Sequence, residues 1–429
     1  MIDRGGTILA LSSGALPSAV AILRLSGPQA ASAASSLIGG GLPASRQAAL
    51  KTFRVGGEVV DRGLLLHFPA PHSFTGENVV ELQVTGSVAV VRTIERALLD
   101  CEGVRAAEPG EFARRALMAG KMDLTEVEGL AALIDAESDA QRRLAMMAAD
   151  GALRTRVESW RERLIGISAD AEAELDFGEA EDDVAERISS DGKASIRQLG
   201  DDMSAALADA SGAERIRSGV TIAIVGPPNA GKSTLLNRIA GSDVAITSEL
   251  PGTTRDLVEV PVRLGAYRAT LVDTAGLRDA PDPLEAEGIR RARLRAADAD
   301  IILDFGDGAP SSEAQQRIGL AGKCDRGERG NGERLAISGL TGEGVEELLA
   351  LLQGCLQKLT PAHITTVTAR QTECLGSAVG ELRLAEDSVD PVIRAEHLRH
   401  ALAALSRLTG HGETEEMLDA LFARFCVGK

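Results

Sequence analysis

The chain sets 46 Lys and Arg against 63 Asp and Glu over 429 residues, a formal charge of −17. That length accommodates roughly two to four domains and more than one core, while the acidic balance argues against a broad nucleic-acid-binding face, because phosphate contacts need clustered Lys and Arg. Five scattered cysteines, Cys101, Cys324, Cys355, Cys374 and Cys426, show no C-x-x-C spacing and no nearby His pair, which excludes a recognisable zinc site or disulfide framework and suits a reducing, cytoplasmic compartment.

The stretch from Thr7 to Leu25 is apolar but broken by Ser, Gly and Pro and lacks a basic lead-in, and no later apolar run approaches membrane length. Neither secretion nor membrane spanning is expected. From Ile2 to about Gly120 the signals are strands and turns. Thr7 to Leu11, Val20 to Leu25 and Gly63 to Phe68 read as β, and Asn78 to Thr85 alternates with Val80, Leu82 and Val84 on one face. Ser87 to Asp100 reads as a helix capped by Ser87. From about Glu111 long helices begin, with Leu124, Val127, Leu130 and Ile134 on one stripe and Leu153, Val157, Trp160, Leu164 and Ile167 on another. A further helix through Ile196, Leu199, Met203 and Leu207 should end near Ser211 and Gly212.

The apolar strand Val220 to Val225 then runs into Gly226-Pro227-Pro228-Asn229-Ala230-Gly231-Lys232-Ser233, a G-x-x-x-x-G-K-[ST] phosphate loop followed by a helix from Lys232 to Ala240. Its glycines let backbone N–H groups turn towards phosphate oxygens, and the helix adds its positive N-terminal end. Lys232 would reach the outer phosphates and Ser233 would hold magnesium. Pro251 to Asp256 follows as a first switch, in which a threonine, Thr253 or Thr254, would present its hydroxyl to magnesium. The strand Thr270 to Val272 leads into Asp273-Thr274-Ala275-Gly276, a carboxylate near the metal with a glycine N–H beside the third phosphate. Guanine reading falls to Gly322-Lys323-Cys324-Asp325, where a GTPase usually has Asn-Lys-x-Asp: Asp325 can accept from the guanine edge, but the Asn side chain is missing. Ser338 stands in the last base-contacting loop. The interval from Ile301 to Lys323 is short for a strand, helix and strand. Nucleotide contacts are therefore assigned to Asn229, Ala230, Gly231, Lys232, Ser233, Thr234, Ser248, Thr253, Thr254, Asp273 to Gly276, Lys323, Asp325 and Ser338. After Pro361 the chain returns to helix, with Leu398, Leu402, Leu405 and Leu408 on one face and Met417, Leu418, Leu421 and Phe425 on the next.

Five further stretches carry a resemblance that the phosphate loop alone does not: Ile22-Leu23-Arg24-Leu25-Ser26-Gly27; Ser73 to Leu82; Glu108-Pro109-Gly110-Glu111-Phe112; Gly120-Lys121-Met122-Asp123-Leu124; and Phe425-Cys426-Val427-Gly428-Lys429. Through them nearly the whole chain resembles the tRNA-modification GTPase family called MnmE or TrmE. The resemblance implies an α+β N-terminal domain (1–120) that binds folate and makes the homodimer, and an all-α helical domain (121–215 and 358–429). An α/β P-loop GTPase domain (216–357) is inserted in the latter. It implies an enzyme that, in a heterotetramer or larger complex with the flavoprotein MnmG (GidA), adds a (carboxymethyl)aminomethyl group to the wobble uridine of tRNA. The one-carbon donor is a 5-formyl-tetrahydrofolate or a related folate, contacted by Arg24, Glu81, Lys121 and Lys429. Cys426 lies in the family's terminal signature, either as a nucleophile or as a small buried residue.

Leu277 stands where a Ras-like enzyme places its water-orienting glutamine. By resemblance Glu285 takes that catalytic role, with Glu287 as its near neighbour, and magnesium is held by Ser233 and Thr254. Potassium is held by Asn229, Ser248, Leu250 and Thr253 when two nucleotide domains dimerise. Two readings from other classes stay open: a regulatory or ribosome-assembly GTPase switch, and a folate-binding scaffold with weak GTPase activity, which Gly322 motivates.

Overall fold

The computed structural model describes residues 5–177, 182–244, 259–273, 299–306, 316–327, 334–360, 368–410, 415–423, 425 and 428. They form two compact units, one of residues 1–127 with 406–429 and one of 128–405.

The first unit is built on a six-stranded sheet, β1 (Thr7–Leu11), β2 (Ser18–Ser26), β3 (Ala49–Val55), β4 (Glu58–Phe68), β5 (Val79–Gly86) and β6 (Val104–Ala106), in the order β3-β4-β5-β2-β1-β6. β1 and β6 are parallel and every other pair is antiparallel. Val80, Leu82 and Val84 are buried as the alternation predicts, against α1 (Ala30–Ile38) and α2 (Val88–Leu99). Ser87 sits at the N-cap of α2, but its hydroxyl makes no capping bond, a correction to its expected role. The opposite face carries Ile8, Ala10 and Phe112, the last from α3 (Glu111–Met118). A second cluster joins Ala113, Leu124 and Val127 to Leu418 and Phe422 of the C-terminal helix Glu415–Phe422. Gly110, at φ 67°, permits that contact, because a Cβ there would lie 2.9 Å from the Phe422 ring. Met417 is exposed and departs from the expected stripe, as does Ile134 at the end of α4 (Leu124–Ile134).

In the second unit the helices α5 (Asp139–Ala149), α6 (Ala152–Phe177) and α7 (Asp182–Ala208) precede the nucleotide sheet. Leu153, Val157, Trp160, Leu164 and Ile167 are all buried, as their spacing predicts. The helix expected to run to Ser211 ends instead at Ala208, and the chain re-enters helix at once in α8 (Ala210–Ser218). The sheet comprises β7 (Val220–Val225), β8 (Glu259–Leu264), β9 (Tyr267–Asp273), β10 (Ile301–Asp304), β11 (Gln316–Gly322) and β12 (Leu335–Ile337), ordered β12-β11-β10-β7-β9-β8. Only β8 runs antiparallel to its neighbour. Helices α9 (Lys232–Ala240) and α10 (Val345–Leu359) cover this core through Leu235, Leu236, Ile239, Leu348 and Leu352. Helices α11 (Ala369–Asp387) and α12 (Pro391–Thr409) follow, and the terminal helix Glu415–Phe422 of the first unit is α13. The short interval noted after Ile301 leaves 305–315 to connect the parallel neighbours β10 and β11.

Candidate functional site: a phosphate loop and a charged sheet face

β7 is a buried parallel strand, and in such sheets ligands gather beyond the carboxyl ends of the strands. The chain leaves β7 at Val225 and enters α9 at Lys232, with Asn229 at φ 63° and Gly231 at φ 105°. These left-handed residues bend the loop so that the first N–H groups of α9 are directed at its concave side. Lys232 is buried, and its Nζ donates to the carbonyls of Gly226 and Pro227, each at 2.8 Å. The ammonium is thereby held at the mouth of the loop. Ser233 Oγ donates to Asp273 Oδ2 at 2.7 Å, so the end of β9 meets the start of α9. A hydroxyl and a carboxylate oxygen in contact form a hard, all-oxygen donor pair, which fits magnesium.

Beside the loop lies a cavity of about 160 Å³ bordered by Ala230, Thr234, Phe305, Asp325 and Ser338. Lys323 takes φ 60° to turn the chain out of β11 into the single 3-10 turn that carries Asp325. Ser338 is buried, and its Oγ accepts from the Thr341 N–H. A Cβ on Gly339 would lie 2.6 Å from the Leu235 nitrogen, so this loop approaches α9 as only glycine allows. The cavity thus brings together Ala230, Gly231, Thr234, Lys323, Asp325 and Ser338.

Phe305 was not legible in the sequence as a site residue. Its side chain packs against the first residue of two motifs: a Cβ at Gly226, which opens the phosphate loop, would lie 2.6 Å from the Phe305 Cβ, and one at Gly322, which opens the stretch carrying Asp325, would lie 3.0 Å from two carbons of its ring. The same Cβ at Gly322 would stand 2.2 Å from the Ala230 carbonyl oxygen. The missing Asn side chain is therefore replaced by close backbone approach and an aromatic ring.

In the first unit, Arg24 and Glu81 face each other across β2 and β5 and join through Arg24 Nε and Glu81 Oε1 at 2.9 Å. The Arg24 guanidinium lies 5.6 Å from the Phe112 ring centroid. Ser26, on the same face of β2 as Arg24, contacts Thr75 at 2.7 Å and Glu77 at 2.6 Å. Between those two residues Gly76 packs on the Lys121 stem, whose Cε lies 3.3 Å from the position of a Cβ. Arg115 extends the network, donating to Glu77 at 2.9 Å, to Glu111 at 2.9 Å and to the Gly6 carbonyl at 2.9 Å. A cavity of about 440 Å³ opens over Gly76, Glu77, Arg105, Glu111 and Arg115. Burial pushes the Glu111 carboxyl up, but hydrogen bonds from Arg105, the Glu108 N–H and Arg115 together hold it below the usual carboxylate range. Cations and carboxylates on one face, with an aromatic edge, suit a ligand that has both anionic groups and a ring bearing donors.

Ser248, Leu250, Thr253, Thr254, Thr274, Ala275, Gly276, Glu285, Cys426 and Lys429 lie outside the described residues. Near the terminus, Gly428 is buried at φ 96°, and a Cβ there would lie 2.4 Å from the Leu11 carbonyl.

A family model described as "MnmE helical domain" matches residues 124–426, and one described as "GTP-binding protein TrmE N-terminus" matches 7–121. A "tRNA modification GTPase MnmE" of Azorhizobium caulinodans is 46% identical over 437 residues and is covered in full, as is this chain. Proteins of the same description from Parvibaculum lavamentivorans and Erythrobacter litoralis are 44% and 43% identical, each alignment spanning 99% of this chain and 100% of the relative.

Proposed function

The chain belongs to the MnmE (TrmE) family of tRNA-modification GTPases, and from that premise we propose that its GTP hydrolysis depends on potassium and times a wobble-uridine modification carried out with MnmG on tRNA. The observation that carries the nucleotide part is the meeting of Ser233 with Asp273 at 2.7 Å beneath a phosphate loop whose lysine is already seated. Magnesium, when bound, supplies positive charge to the outer phosphates, and Ser233 with Thr254 would hold it. Potassium supplies further positive charge where negative charge develops, with Asn229, Ser248, Leu250 and Thr253 as its holders. Asn229 suits this assignment in residue type, since it stands in the phosphate loop at φ 63° and its side chain carries an amide oxygen, a donor that potassium accepts. Asp325 accepts from the guanine edge and excludes adenine. Glu285 orients the attacking water in place of the glutamine that Leu277 cannot supply.

The charged sheet face supports folate binding. Arg24, Lys121 and Lys429 attract glutamate carboxylates, and Glu81 accepts from the pterin edge. The bound folate supplies the one-carbon unit of the modification, with Cys426 near the closing tail. We further propose a homodimer, made through the first unit, that works in the cytoplasm. No helix among the described residues is long and apolar enough to cross a membrane.

The test is GTP hydrolysis by the purified protein with magnesium, in potassium against sodium at equal ionic strength, with ATP as control. Turnover in potassium alone, with ATP ignored, is the expected result. Equal rates in the two salts would overturn the potassium assignment, and ATP turnover would overturn the role of Asp325.

A further inference from the structure

Among residues that neither site uses, Glu381 on α11 and His397 and His400 on α12 converge so that one ligand atom of each lies within 4.8 Å of the others. The two histidines are one turn apart and share a face of α12. Glu381 Oε2 is 2.7 Å from His397 Nδ1 and 3.7 Å from His400 Nδ1. His400 turns its other nitrogen, Nε2, to Glu396 Oε1 at 3.2 Å, and the second Glu396 oxygen accepts from Arg399 at 2.6 Å.

A plain Glu–His ion pair accounts for the first of these contacts only. It does not account for a second imidazole that points the same kind of nitrogen at the same oxygen while a further carboxylate holds its far side. That combination of two imidazoles and a carboxylate, with an outer carboxylate anchoring one imidazole, is the arrangement that orients histidine ligands around a metal ion. Two imidazole nitrogens disfavour magnesium and calcium and favour zinc and its neighbours. The His400 side chain is 56% exposed, which leaves an open side for water or an exchangeable ligand. The cysteines contribute nothing here, so their scattered spacing could not reveal the cluster.

We propose that Glu381, His397 and His400 form a binding site for a divalent transition-metal ion of the zinc type, with Glu396 as a positioning residue, and that the ion ties α11 to α12. The three donors come from only two adjacent helices. The site is therefore largely preformed, and small rotations of the side chains bring them to bonding distance.

The test uses the full chain freed of metal and titrated with Co²⁺ as a spectroscopic probe, followed by competition with Zn²⁺. Expected is one equivalent of Co²⁺ with visible bands of a low-coordinate nitrogen and oxygen site, displaced by Zn²⁺. H397A and E381Q should abolish it, H400A should weaken it strongly, and E396Q should weaken it about tenfold. All four should hydrolyse GTP in metal-chelated, magnesium-containing buffer as the parent does, which establishes that they are folded. Absence of stoichiometric Co²⁺ binding would overturn the proposal, as would binding unchanged in H397A and H400A, or bands of thiolate ligation.

Discussion

At the scale of single residues, Gly322 shows how a motif can lose a side chain and keep its shape. The Asn expected there would be overpacked against the Ala230 carbonyl and the Phe305 ring, and overpacking costs about 1–3 kcal/mol. Gly322→Asn is therefore expected to weaken GDP binding, measured by titration with a fluorescent guanine nucleotide, rather than to strengthen it. Because the backbone carbonyl also crowds the site, the double variant with Phe305→Ala should recover only part of the loss. A gain in affinity in the single variant would show that β11 can move away from the loop. Asp325 makes a separate prediction. Asp325→Asn turns one of the two carboxylate acceptors proposed to read guanine into an NH2 donor that opposes the guanine N–H groups, so GTP turnover should fall while discrimination against ATP shrinks, read from competition of ATP against GTP. Neither Phe305 nor its two glycine partners could be linked from sequence, because the contact joins the ends of three strands, β7, β10 and β11, that only the sheet order brings side by side. Asp325 and the phosphate loop were legible because their chemistry requires fixed residue types at fixed spacing.

At the scale of elements, α3 carries two devices that the sequence announces only in part. Gly110 begins it in a left-handed conformation against Phe422, so Gly110→Ala combines a strained backbone with a clash. The expected result is faster amide exchange in α13, with a loss of about 1–2 kcal/mol from the backbone alone. One position later, Glu111 is held by Arg105 at 2.5 Å and by Arg115 at 2.9 Å. Its pKa is lowered from 4.5 in the folded protein. Its contribution to stability is therefore complete above the unfolded value and disappears as pH falls below 4.5 through the folded value. Melting temperature followed from pH 7 downwards should fall less steeply below about pH 4.5 in Glu111→Gln than in the parent, because the variant lacks that linked proton. At neutral pH the variant should be less stable by about 3 kcal/mol, since two arginines lose their buried partner. The strands with clean alternation, such as β5, were legible. The β3–β4 hairpin was not, although Gly56 and Gly57, at φ 58° and 89°, form its turn. Its flanks, Lys51 to Arg54 and Glu58 to Asp61, mix charge with one exposed valine, Val59, and one half-buried valine, Val60, and give no periodic signal. The break at Asp209 was missed because strong helix formers, Ala205 to Ala208 and Ala210, flank it directly, whereas Ser211 and Gly212, the weak formers that suggested an end, lie inside α8.

At the scale of the whole molecule, the two compact units carry different candidate sites, the phosphate loop with Asp273 and Asp325 in 128–405 and the charged sheet face in 1–127 with 406–429. A ligand protects from exchange the structure to which it is coupled, by about 2.7 kcal/mol at a hundredfold excess over its Kd. GDP with magnesium should therefore slow amide exchange in β7, β9 and α9 and leave β2 and β5 unchanged, whereas a 5-formyl-tetrahydrofolate should do the reverse. Hydrogen exchange followed by mass spectrometry on the full chain resolves these segments. Protection of the β2 and β5 peptides by GDP would mean that the two units open as one. The folate arm then tests the charged face alone: Arg24→Ala should abolish protection of β2 and β5 by folate and leave GDP protection of β7 intact. This outcome follows because the Arg24–Glu81 pair at 2.9 Å belongs wholly to the first sheet, while Lys232 and Ser233 draw every described hydrogen bond of their side chains from the second unit.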